Sequence, residues 1–539
     1  MTTRSFSSPL HRGVSNATTR QSLWQRCPPH FLPDPVKSAR RSLPLSIRRI
    51  STSSQTAPKV SSWSSSHTPR TTPVRSSLLS NLRITLLTAS VALTLTLGWY
   101  YVTDTRSGVH RLAPRVLKAV CPDAETSHEV GNAVLKVLWS LGVYPRERGR
   151  KGGGEGGEGL GLGVVVWDSL LDNPIAISAG LDKTASIPDA LFALGASIVE
   201  VGGVTPLPQP GNEKPRVWRV TGEEGMVNRY GLNSLGADDM ARQLRRRKID
   251  LGITDNLTGG EEESERDASS VSVEVKNPGS LQEGKLLAIN IAKNAKTDND
   301  DTDAVIEDYV TCVNKLGPYA DILVVNVSSP NTRGLRGLQT SKPLTRILNA
   351  VTTAASSIQS HKPKVIVKIS PDEDSPEQIR GVCEAVVATS VDGVVVSNTT
   401  KSRPPPSALP SSSSSTILPQ PGTEILRSAT DARALAQEGG YSGPAMFPKT
   451  LELVEKYREA LDEATVNGRR KKSGGGKRKV IFASGGIDDG KKVLQVLEAG
   501  ASVAMMYTTL TYQGVGAVGR VKEEVRGELE AWREGRTEG

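Results

Sequence analysis

An uncharged stretch of 19 residues, ITLLTASVALTLTLGWYYV, occupies positions 84–102. As a helix it would be about 28 Å long at about 1.5 Å per residue, close to the roughly 30 Å hydrocarbon core of a bilayer. Trp99, Tyr100 and Tyr101 at its C-terminal end are residue types that favour the membrane interface. The pattern predicts a transmembrane helix over 84–102, with a buried core helix as the alternative.

Two amphipathic patterns follow this stretch. In VHRLAPRVLKAV and SHEVGNAVLKVLWSLG, apolar residues recur at i, i+3, i+4, i+7, i+8 and i+11, which places them on one face of a helix. We expect a small two-helix domain over residues 107–145. Its apolar stripe either packs on the domain that follows or, because the helices come directly after the membrane segment, lies on the lipid surface.

Eight short apolar runs alternate with helical patterns in the rest of the chain. Near-continuous hydrophobic strands that are separated by helices are typical of parallel α/β architecture. The runs are 175–179, 198–202, 286–291, 322–327, 365–369, 393–397, 480–483 and 502–507. Eight such units predict a (β/α)8 TIM barrel over residues 163–530, in which the active site gathers at the C-terminal ends of the strands.

Segments rich in Gly, Ser, Pro or charge interrupt this alternation near 146–162, 254–283, 403–424 and 466–478. Their composition is that of loops or disorder, so we expect surface insertions without a chemical role. They leave the strand ends intact, and we therefore expect activity to survive them.

The excess positive charge of the chain lies in residues 1–83. That segment holds 13 Lys and Arg and one acid, Asp34, whereas the remaining 456 residues hold 54 basic and 56 acidic side chains. A leader rich in Ser, Thr, Arg and Pro and nearly free of acids is typical of a mitochondrial transit peptide, with a disordered tail as the alternative. Because the net charge of +10 belongs to this leader, we predict no nucleic-acid partner.

The residue types at the strand ends narrow the chemistry. The four cysteines show no CxxC spacing, and beyond residue 128 the sequence has a single histidine, His361. Carboxylates are nearly absent where the eight runs end, so neither a metal site nor a glycosidase-type acid pair is predicted. Lysine, amide, hydroxyl and glycine residues remain, and they suit a planar, partly anionic cofactor together with a small polar substrate.

Two features predict FMN as that cofactor. The Gly485-Gly486 pair after the seventh run and Tyr507-Thr508 after the eighth lie where many barrels bind phosphate through backbone N–H groups. Lys368, at the end of the fifth run, could place a positive charge near the isoalloxazine ring and stabilise the reduced flavin.

Seven motifs, in order, carry a family resemblance. They are NPIAISAGLDK, VGGVTPLPQPGNEKPRVWR, NRYGLNS, LVVNVSSPNTRGLRGLQ, VDGVVVSNTTKSRP, GGYSGP and AGASVAMMYTTLT. Together they resemble the class 2, membrane-associated dihydroorotate dehydrogenases over residues 107–530, apart from the insertions. The resemblance implies oxidation of (S)-dihydroorotate to orotate with FMN in de novo pyrimidine (UMP) biosynthesis, with the electrons passed to ubiquinone. It also implies a single-pass protein in the lipid of the mitochondrial inner membrane, and a basic leader held inside would leave the catalytic domain facing the intermembrane space.

The resemblance implies a role for individual residues as well. Ser329 would be the general base that removes the C5 proton while C6 gives hydride to the flavin. Asn326 and Asn331 would hold the pyrimidine edges, and Ser328 would support the turn. Further substrate contacts would be Lys183, Asn228, Arg229, Tyr230, Gly231, Leu232, Asn398 and Thr399. The FMN contacts would be Ala179, Gly180, Gly203, Asn290, Asn326, Lys368, Ser397, Gly443, Gly486, Tyr507 and Thr508. The quinone tunnel would be lined by Arg219 and Tyr507.

The chain departs from the family pattern in a few places. It has SAG at 178–180 and GG at 202–203 where the family usually has AAG and GS, and these exchanges of small residues should preserve flavin binding. Near the quinone the family often has glutamine, whereas the nearest residues here are Leu117 and Lys118. That change bears on the quinone contacts and on inhibitor sensitivity.

Other functions are open from the sequence alone. A soluble class 1 relative would carry cysteine at position 329 and lack the anchor, and a 2-hydroxy acid oxidase, another FMN barrel, would need a catalytic histidine. A membrane-tethered flavin-binding scaffold without turnover is the alternative outside the enzymes. The joint presence of Lys183, Asn228, Ser329 and Asn398 favours an enzyme.

Overall fold

The structure is a computed structural model that describes residues 74–148, 161–252, 279–332, 335–405, 428–471 and 478–537. Residues 1–73 of the expected leader and most of the four expected insertions lie outside these ranges, so those expectations stay predictions. The described residues separate into two units, one ending at Val102 and the other beginning at Thr103.

The N-terminal unit contains the apolar helix that the sequence predicts. Helix α1 spans Val74–Thr103, and its segment Ser80–Thr103 is long and apolar enough to cross a membrane. The large apolar side chains along it are exposed, Leu95 by 68%. An exposed apolar surface of this length disfavours the alternative of a buried core helix and suits a lipid environment.

The second unit holds the remaining helices. They are α2 Val109–Val120, α3 Ala124–Ser140, α4 Pro188–Ala193, α5 Ala237–Asp250, α6 Thr302–Leu316, α7 Ser341–Ser356, α8 Pro376–Ala388, α9 Ala429–Leu435, α10 Phe447–Lys471, α11 Gly490–Glu498, α12 Thr508–Gln513 and α13 Ala517–Thr537. Helices α2 and α3 coincide with the two amphipathic patterns.

Thirteen strands lie in the described part of this unit. They are β1 Val164–Val166, β2 Ser169–Leu171, β3 Ile175–Ile177, β4 Ile198–Val204, β5 Val217–Val220, β6 Gly225–Asn228, β7 Leu286–Ile291, β8 Ile322–Asn326, β9 Lys364–Lys368, β10 Gly393–Val396, β11 Gly440–Ser442, β12 Val480–Ser484 and β13 Val503–Met506.

Eight of these strands form a closed parallel barrel in the order β3-β4-β7-β8-β9-β10-β12-β13. The barrel closes where β13 pairs with β3, with Ala504 opposite Ile175 and Met506 opposite Ile177. Each of the eight apolar runs supplies one barrel strand, so the predicted α/β fold, a (β/α)8 TIM barrel, is confirmed.

The two-residue period of a strand decides which side chains enter the barrel. In β3, Ile175 and Ile177 belong to the layer that packs on the surrounding helices, whereas Ala176 belongs to the interior layer with Ile198. Towards the C-terminal ends of the strands, the side chains on this interior face are polar. They are Glu200, Asn290, Asn326 and Lys368. One face of each strand therefore supplies apolar core at the bottom of the barrel and polar chemistry at the top.

A short hairpin that the sequence does not reveal closes the bottom of the barrel. Strands β1 and β2 pair antiparallel, and their Val166 and Leu171 join the interior apolar layer. The ring of Trp167, in the turn between them, lies 5.7 Å from the ring of Phe482. Solvent is thereby excluded from the end opposite the predicted site.

An antiparallel sheet outside the barrel brings together distant parts of the chain. Strand β6 pairs with β5 on one side and with β11 on the other, so that Val227 lies opposite both Trp218 and Tyr441. Helix α3 contacts this sheet through an ion pair between Glu125 and Arg216, with 2.7 Å between Glu125 Oε1 and Arg216 Nη2. The pair connects α3 to the part of the molecule that carries the predicted site.

Candidate active site

The residues that the sequence selects converge on one cavity at the C-terminal ends of the barrel strands. Most of the predicted residues line it: Ala179, Gly180, Lys183, Gly203, Asn228, Tyr230, Gly231, Leu232, Asn290, Asn326, Ser329, Asn331, Lys368, Ser397, Asn398, Thr399, Gly443, Gly486, Tyr507 and Thr508. Two predicted residues lie outside the lining: Arg229 donates to the Pro215 carbonyl at 3.1 Å, and Arg219 donates to the Pro122 carbonyl at 2.7 Å.

The turn after β8 holds Ser329 in a network of polar side chains. Ser328 donates from its backbone N–H and its hydroxyl to Asn326 Oδ1, at 3.1 and 3.0 Å, and its hydroxyl accepts from Asn398 Nδ2 at 2.9 Å. Ser329 Oγ accepts from Thr332 Oγ1 at 3.3 Å and is 6% exposed. Ser328 thus ties the turn to the strand ends, while the hydroxyl of Ser329 faces the cavity beside a second hydroxyl.

Amide side chains connect this turn to the antiparallel sheet. Asn331 Nδ2 donates to the backbone carbonyl of Asn228 at 3.0 Å, and Asn228 Nδ2 donates to the Gly440 carbonyl at 3.3 Å. Asn326 Nδ2 donates to Asn290 Oδ1 at 3.1 Å. Since each amide carries both donors and an acceptor, this arrangement can present alternating donors and acceptors to a small heterocycle.

Lys183 supplies a cation at the edge of the cavity. Its Nζ donates to Asn233 Oδ1 at 2.8 Å and lies 2.9 Å from the centroid of the Tyr230 ring. Burial, and after it the positive charge of Arg216, lowers the pKa of Lys183 to about 7. An anionic group bound here would favour the charged form of this side chain.

Glycines bring backbone groups close together on the opposite side of the cavity. Gly486, after β12, has φ of +71°, and a Cβ there would lie 2.5 Å from the Phe447 N and 2.9 Å from the Pro444 O. Thr508, at the start of α12, donates from its hydroxyl to Ser442 Oγ at 3.0 Å. Exposed N–H groups at such turns and at a helix start are suited to a phosphate.

The sequence did not single out Glu200, which lies beneath the cavity. Its carboxylate is completely buried, and its Oε2 is 3.2 Å from Lys368 Nζ. Glu200 is in the middle of an apolar run rather than at its end, so a survey of strand ends passes over it. A carboxylate on the inward-facing side of the run IVEVGG was the signal that could have revealed it.

An apolar region adjoins the cavity next to α3. Tyr230 and Tyr507, which line the cavity, also pack with Tyr512 on a small cluster formed by Ala124, Val217 and Met226. Lys118 Nζ lies 3.6 Å above the Tyr512 ring. Burial, followed by the charge of Arg219, lowers the pKa of Lys118 to about 8. The region is a mostly apolar cluster with two cations, Lys118 and Arg219, beside it.

Comparison with known proteins agrees with this geometry. The family profile of dihydroorotate dehydrogenase matches residues 161–529. The mitochondrial dihydroorotate dehydrogenase (quinone) of Candida glabrata is 34% identical over 453 residues, which cover 82% of this chain and 87% of the yeast protein. The mouse enzyme of the same name is 34% identical over 406 residues, covering 75% of this chain and 82% of its own.

Solved structures show the same likeness. The ligand-free dihydroorotate dehydrogenase of Eimeria tenella superimposes with a TM-score of 0.57 at 27% identity, covering 75% of this chain and 95% of that one. Its complex with ferulenol gives a TM-score of 0.56 at the same identity, covering 75% and 92%. The shared barrel, the matched sequence and the extent of the match agree, and the chain therefore belongs to the dihydroorotate dehydrogenase family.

Proposed function

We propose that the protein oxidises (S)-dihydroorotate to orotate in de novo pyrimidine biosynthesis, with FMN as cofactor and ubiquinone as electron acceptor. The observation that carries the proposal is the convergence of Ser329, the surrounding amides and Lys183 on one cavity, which Gly486 also lines with a close approach of backbone groups. The names of its relatives, dihydroorotate dehydrogenase (quinone), support the same reaction.

The residues present fit FMN. The close backbone approach at Gly486, where a Cβ would collide with the chain, and the hydroxyl of Thr508 suit the phosphate. Asn290, Lys368 and Ser397 would hold the ring system with amide, ammonium and hydroxyl groups. When bound, FMN accepts the two electrons released at C6 of the substrate and passes them on to ubiquinone.

Ser329 would remove the proton at C5. Oxidation forms the C5=C6 double bond, so the C5–H leaves as a proton while the C6–H leaves with its electron pair. A serine hydroxyl is a weak base, and it needs to pass its own proton on as it takes the new one. Thr332 Oγ1, at 3.3 Å from Ser329 Oγ, is a hydroxyl that can take this proton once the two hydroxyls rotate and the direction of their hydrogen bond is reversed.

The amides and Lys183 would orient the substrate. The ring edges of dihydroorotate present N–H donors and carbonyl acceptors, which Asn228, Asn326, Asn331 and Asn398 can match. Its carboxylate would pair with the Lys183 ammonium. Holding the substrate in one orientation is what lets a single hydroxyl reach C5.

Ubiquinone would approach through the apolar region between Tyr507, Tyr512 and α3. The cations Arg219 and Lys118 lie beside this region, the first bonded to a backbone carbonyl and the second above the Tyr512 ring. An apolar passage suits the ring and tail of a quinone, and a cation beside it suits the developing negative charge on a quinone oxygen.

The proposed location is the mitochondrial inner membrane, with the barrel facing the intermembrane space. Relatives are named mitochondrial, and the apolar segment Ser80–Thr103 is long enough to span the bilayer. Arg75 and Arg83 precede the apolar residues, which favours that end on the matrix side. Protease added to intact mitoplasts should degrade the barrel, and complete protection would show the opposite orientation.

The experiment that tests the reaction is anaerobic stopped-flow mixing of the FMN-loaded protein with dihydroorotate. Flavin absorbance should bleach rapidly in the parent, and Ser329→Ala should slow bleaching about 10²- to 10⁴-fold, the usual range for a positioned general base. Chemical reduction by dithionite and the spectral change on orotate binding serve as controls, and both should be retained in the variant.

Either part of the proposal can fail separately. A parent protein that holds FMN and is never bleached by dihydroorotate would show that the substrate is wrong. A variant that bleaches within a few-fold of the parent would remove Ser329 from the role of base while leaving the reaction intact.

A further inference from the structure

The carboxylate of Glu200 is surrounded by donors from the ends of several barrel strands. Its Oε1 accepts from Asn290 Nδ2 at 2.7 Å and its Oε2 accepts from the Ala179 N–H at 2.8 Å. Lys368 Nζ lies 3.4 and 3.2 Å from the two oxygens, and Ser178 Oγ lies 3.4 Å from Oε2. A single side chain of β4 thus fixes groups carried by β3, β7 and β9.

These partners are cavity residues, whereas Glu200 lies behind them. Ala179, Asn290 and Lys368 line the cavity, and each presents one side to Glu200 and the other to the space that a ligand would take. Glu200 and Lys368 are 0% and 5% exposed. Glu200 would therefore act on a bound molecule through the three groups that it holds.

Stability alone does not explain a buried pair of charges. Removing two charges from water costs several kcal/mol for each, and replacing such a pair by apolar residues is often neutral or stabilising. The neighbouring strands supply apolar residues in the same interior layer, including Ile198 and Ile366. The pair at this height of the barrel thus points to a role in the cavity.

The net charge of the Glu200–Lys368 pair affects the reduction potential of a flavin bound beside it. A lone ammonium beside the ring stabilises the negative charge of the reduced form, and this stabilisation raises the reduction potential. A carboxylate about 3 Å from that ammonium cancels much of its field. With the pair intact, the ammonium can orient the ring while contributing little net charge.

We propose that Glu200 is a positioning residue that holds Lys368, Asn290 and the Ala179 N–H towards FMN and lowers the reduction potential of the bound flavin. The inference rests on the proposed function only in taking FMN as the ligand. A lower potential makes the reduced flavin a better donor to the quinone, so Glu200 would favour the second half of the reaction.

The test is an equilibrium reductive titration of FMN-loaded protein with a reference dye and a chemical reductant. Glu200→Gln removes the negative charge and keeps the size, so the midpoint potential should rise. A tenfold shift in the ratio of reduced to oxidised flavin, about 30 mV for a two-electron couple, is the expected minimum. The anionic reduced form, followed by its absorbance, should also persist to lower pH.

Two further variants separate this role from a structural one. Glu200→Asp retains the charge and should retain the parent potential even where the FMN dissociation constant or the melting temperature changes. Asp321→Asn removes another buried carboxylate, one that accepts from backbone N–H groups at the bottom of the barrel, and should lower stability without moving the potential.

The outcomes are distinct from those of the activity test because no dihydroorotate is used. An unchanged potential in Glu200→Gln, or equal shifts in the Gln and Asp variants, would overturn the role in tuning. If both variants fold but their apoproteins take up no FMN, Glu200 only builds the pocket. This result too would overturn the role in tuning. A parent protein that binds no FMN would instead refute the proposed function.

Discussion

Lys183 lies in an environment that disfavours the charged form of its side chain. Burial and the nearby Arg216 bring its pKa down to about 7, while the face of the Tyr230 ring and the oxygen of Asn233 keep the ammonium in place. Because a bound anion favours the charged form, the neutral amine should gain a proton when an anionic ligand binds beside it. Protonation and substrate binding should therefore be linked.

We expect orotate binding at pH 8 to take up about one proton per site, since the free side chain is then mostly neutral and the bound carboxylate raises its pKa. At pH 6 the side chain is already charged, and uptake should nearly vanish. Calorimetry in two buffers with different heats of ionisation measures this uptake.

Lys183→Met should abolish the uptake at pH 8. The matched control is Lys479→Met, which removes another lysine whose pKa burial lowers but which lies at the bottom of the barrel, bonded to the Val391 carbonyl. Binding heats that do not depend on the buffer in the parent protein would contradict the linkage.

At the scale of residues, the sequence located the site better than it described its interactions. Residues that directly follow apolar runs, such as Ser329 and Asn398, could be selected because parallel strands end at one rim of a barrel. Glu200 and Tyr512 were missed, since one lies within a strand and the other within a helix. Their importance comes from neighbours brought by other strands, which no local pattern records.

The turn between β12 and α11 shows how an element shapes the cavity. Gly486 combines a left-handed φ of +71° with a backbone approach that leaves no room for a Cβ. Gly252, beyond the end of α5, has nearly the same φ of +74° but open space around its Cβ position. A comparison of alanine substitutions at the two glycines therefore distinguishes the effect of backbone strain from that of a steric clash.

If the backbone around Gly486 holds the FMN phosphate as proposed, Gly486→Ala should weaken FMN binding by at least tenfold, because the added methyl group would displace that backbone. Gly252→Ala should cost only about 1–2 kcal/mol of stability, the usual penalty for the left-handed region, and leave FMN affinity unchanged. Fluorescence titration of apoprotein with FMN measures both. Equal losses in the two variants would mean that strain alone, and no steric clash, is responsible.

Helix α3 contacts the antiparallel sheet through a buried ion pair as well as through apolar packing. Burial alone would raise the pKa of Glu125, but the hydrogen bonds and charge of Arg216 lower it below its ordinary value. The contribution of the pair to stability is therefore present above the ordinary pKa and is lost as the pH falls through the folded-state value.

Glu125→Gln should reduce the free energy of unfolding by about 3–5 kcal/mol at pH 7, as expected when one partner of a buried pair is removed. At a second pH that lies below the lowered folded-state pKa of Glu125, where the parent also becomes neutral at this position, the two proteins should converge. Urea unfolding at both pH values measures the difference. Glu129→Gln, on the exposed side of the same helix, is the control and should change stability by no more than about 1 kcal/mol.

At the scale of elements, the eight barrel strands could be predicted because each is an apolar run of about the usual length. The antiparallel sheet could not, since GYS in β11 is too short to show a pattern and pairs with a strand more than 200 residues away. The hairpin of β1 and β2 was overlooked for the same reason, as each of its strands has three residues.

The described chain divides into two units at Val102. This division predicts that the second unit folds without the first. Backbone bonds from Arg146 N to the Thr103 O, at 2.9 Å, and from Thr105 N to the Arg146 O, at 3.2 Å, tie the start of the second unit to its own chain. A protein beginning at Thr103 should therefore keep the melting temperature of the full chain within a few degrees. Dihydroorotate should still bleach its bound flavin.

The truncated protein should also be released from membranes by alkaline carbonate, whereas the full chain stays with the lipid pellet. A chain beginning at Gly108, which lacks the contacts of Thr103 and Thr105, is the matched control and should melt at a lower temperature. Loss of flavin from the protein that begins at Thr103 would contradict the independence of the second unit.

The pairing of β13 with β3 sets an order of events during synthesis. The two strands are separated by more than 300 residues, so the barrel stays open until the ribosome has released nearly the whole chain. A chain that stops before residue 503 carries Ala179 and Lys183 but lacks Tyr507 and Thr508. Such a chain forms only part of the cavity wall. Retention of a ligand in the cavity should therefore require the completed polypeptide.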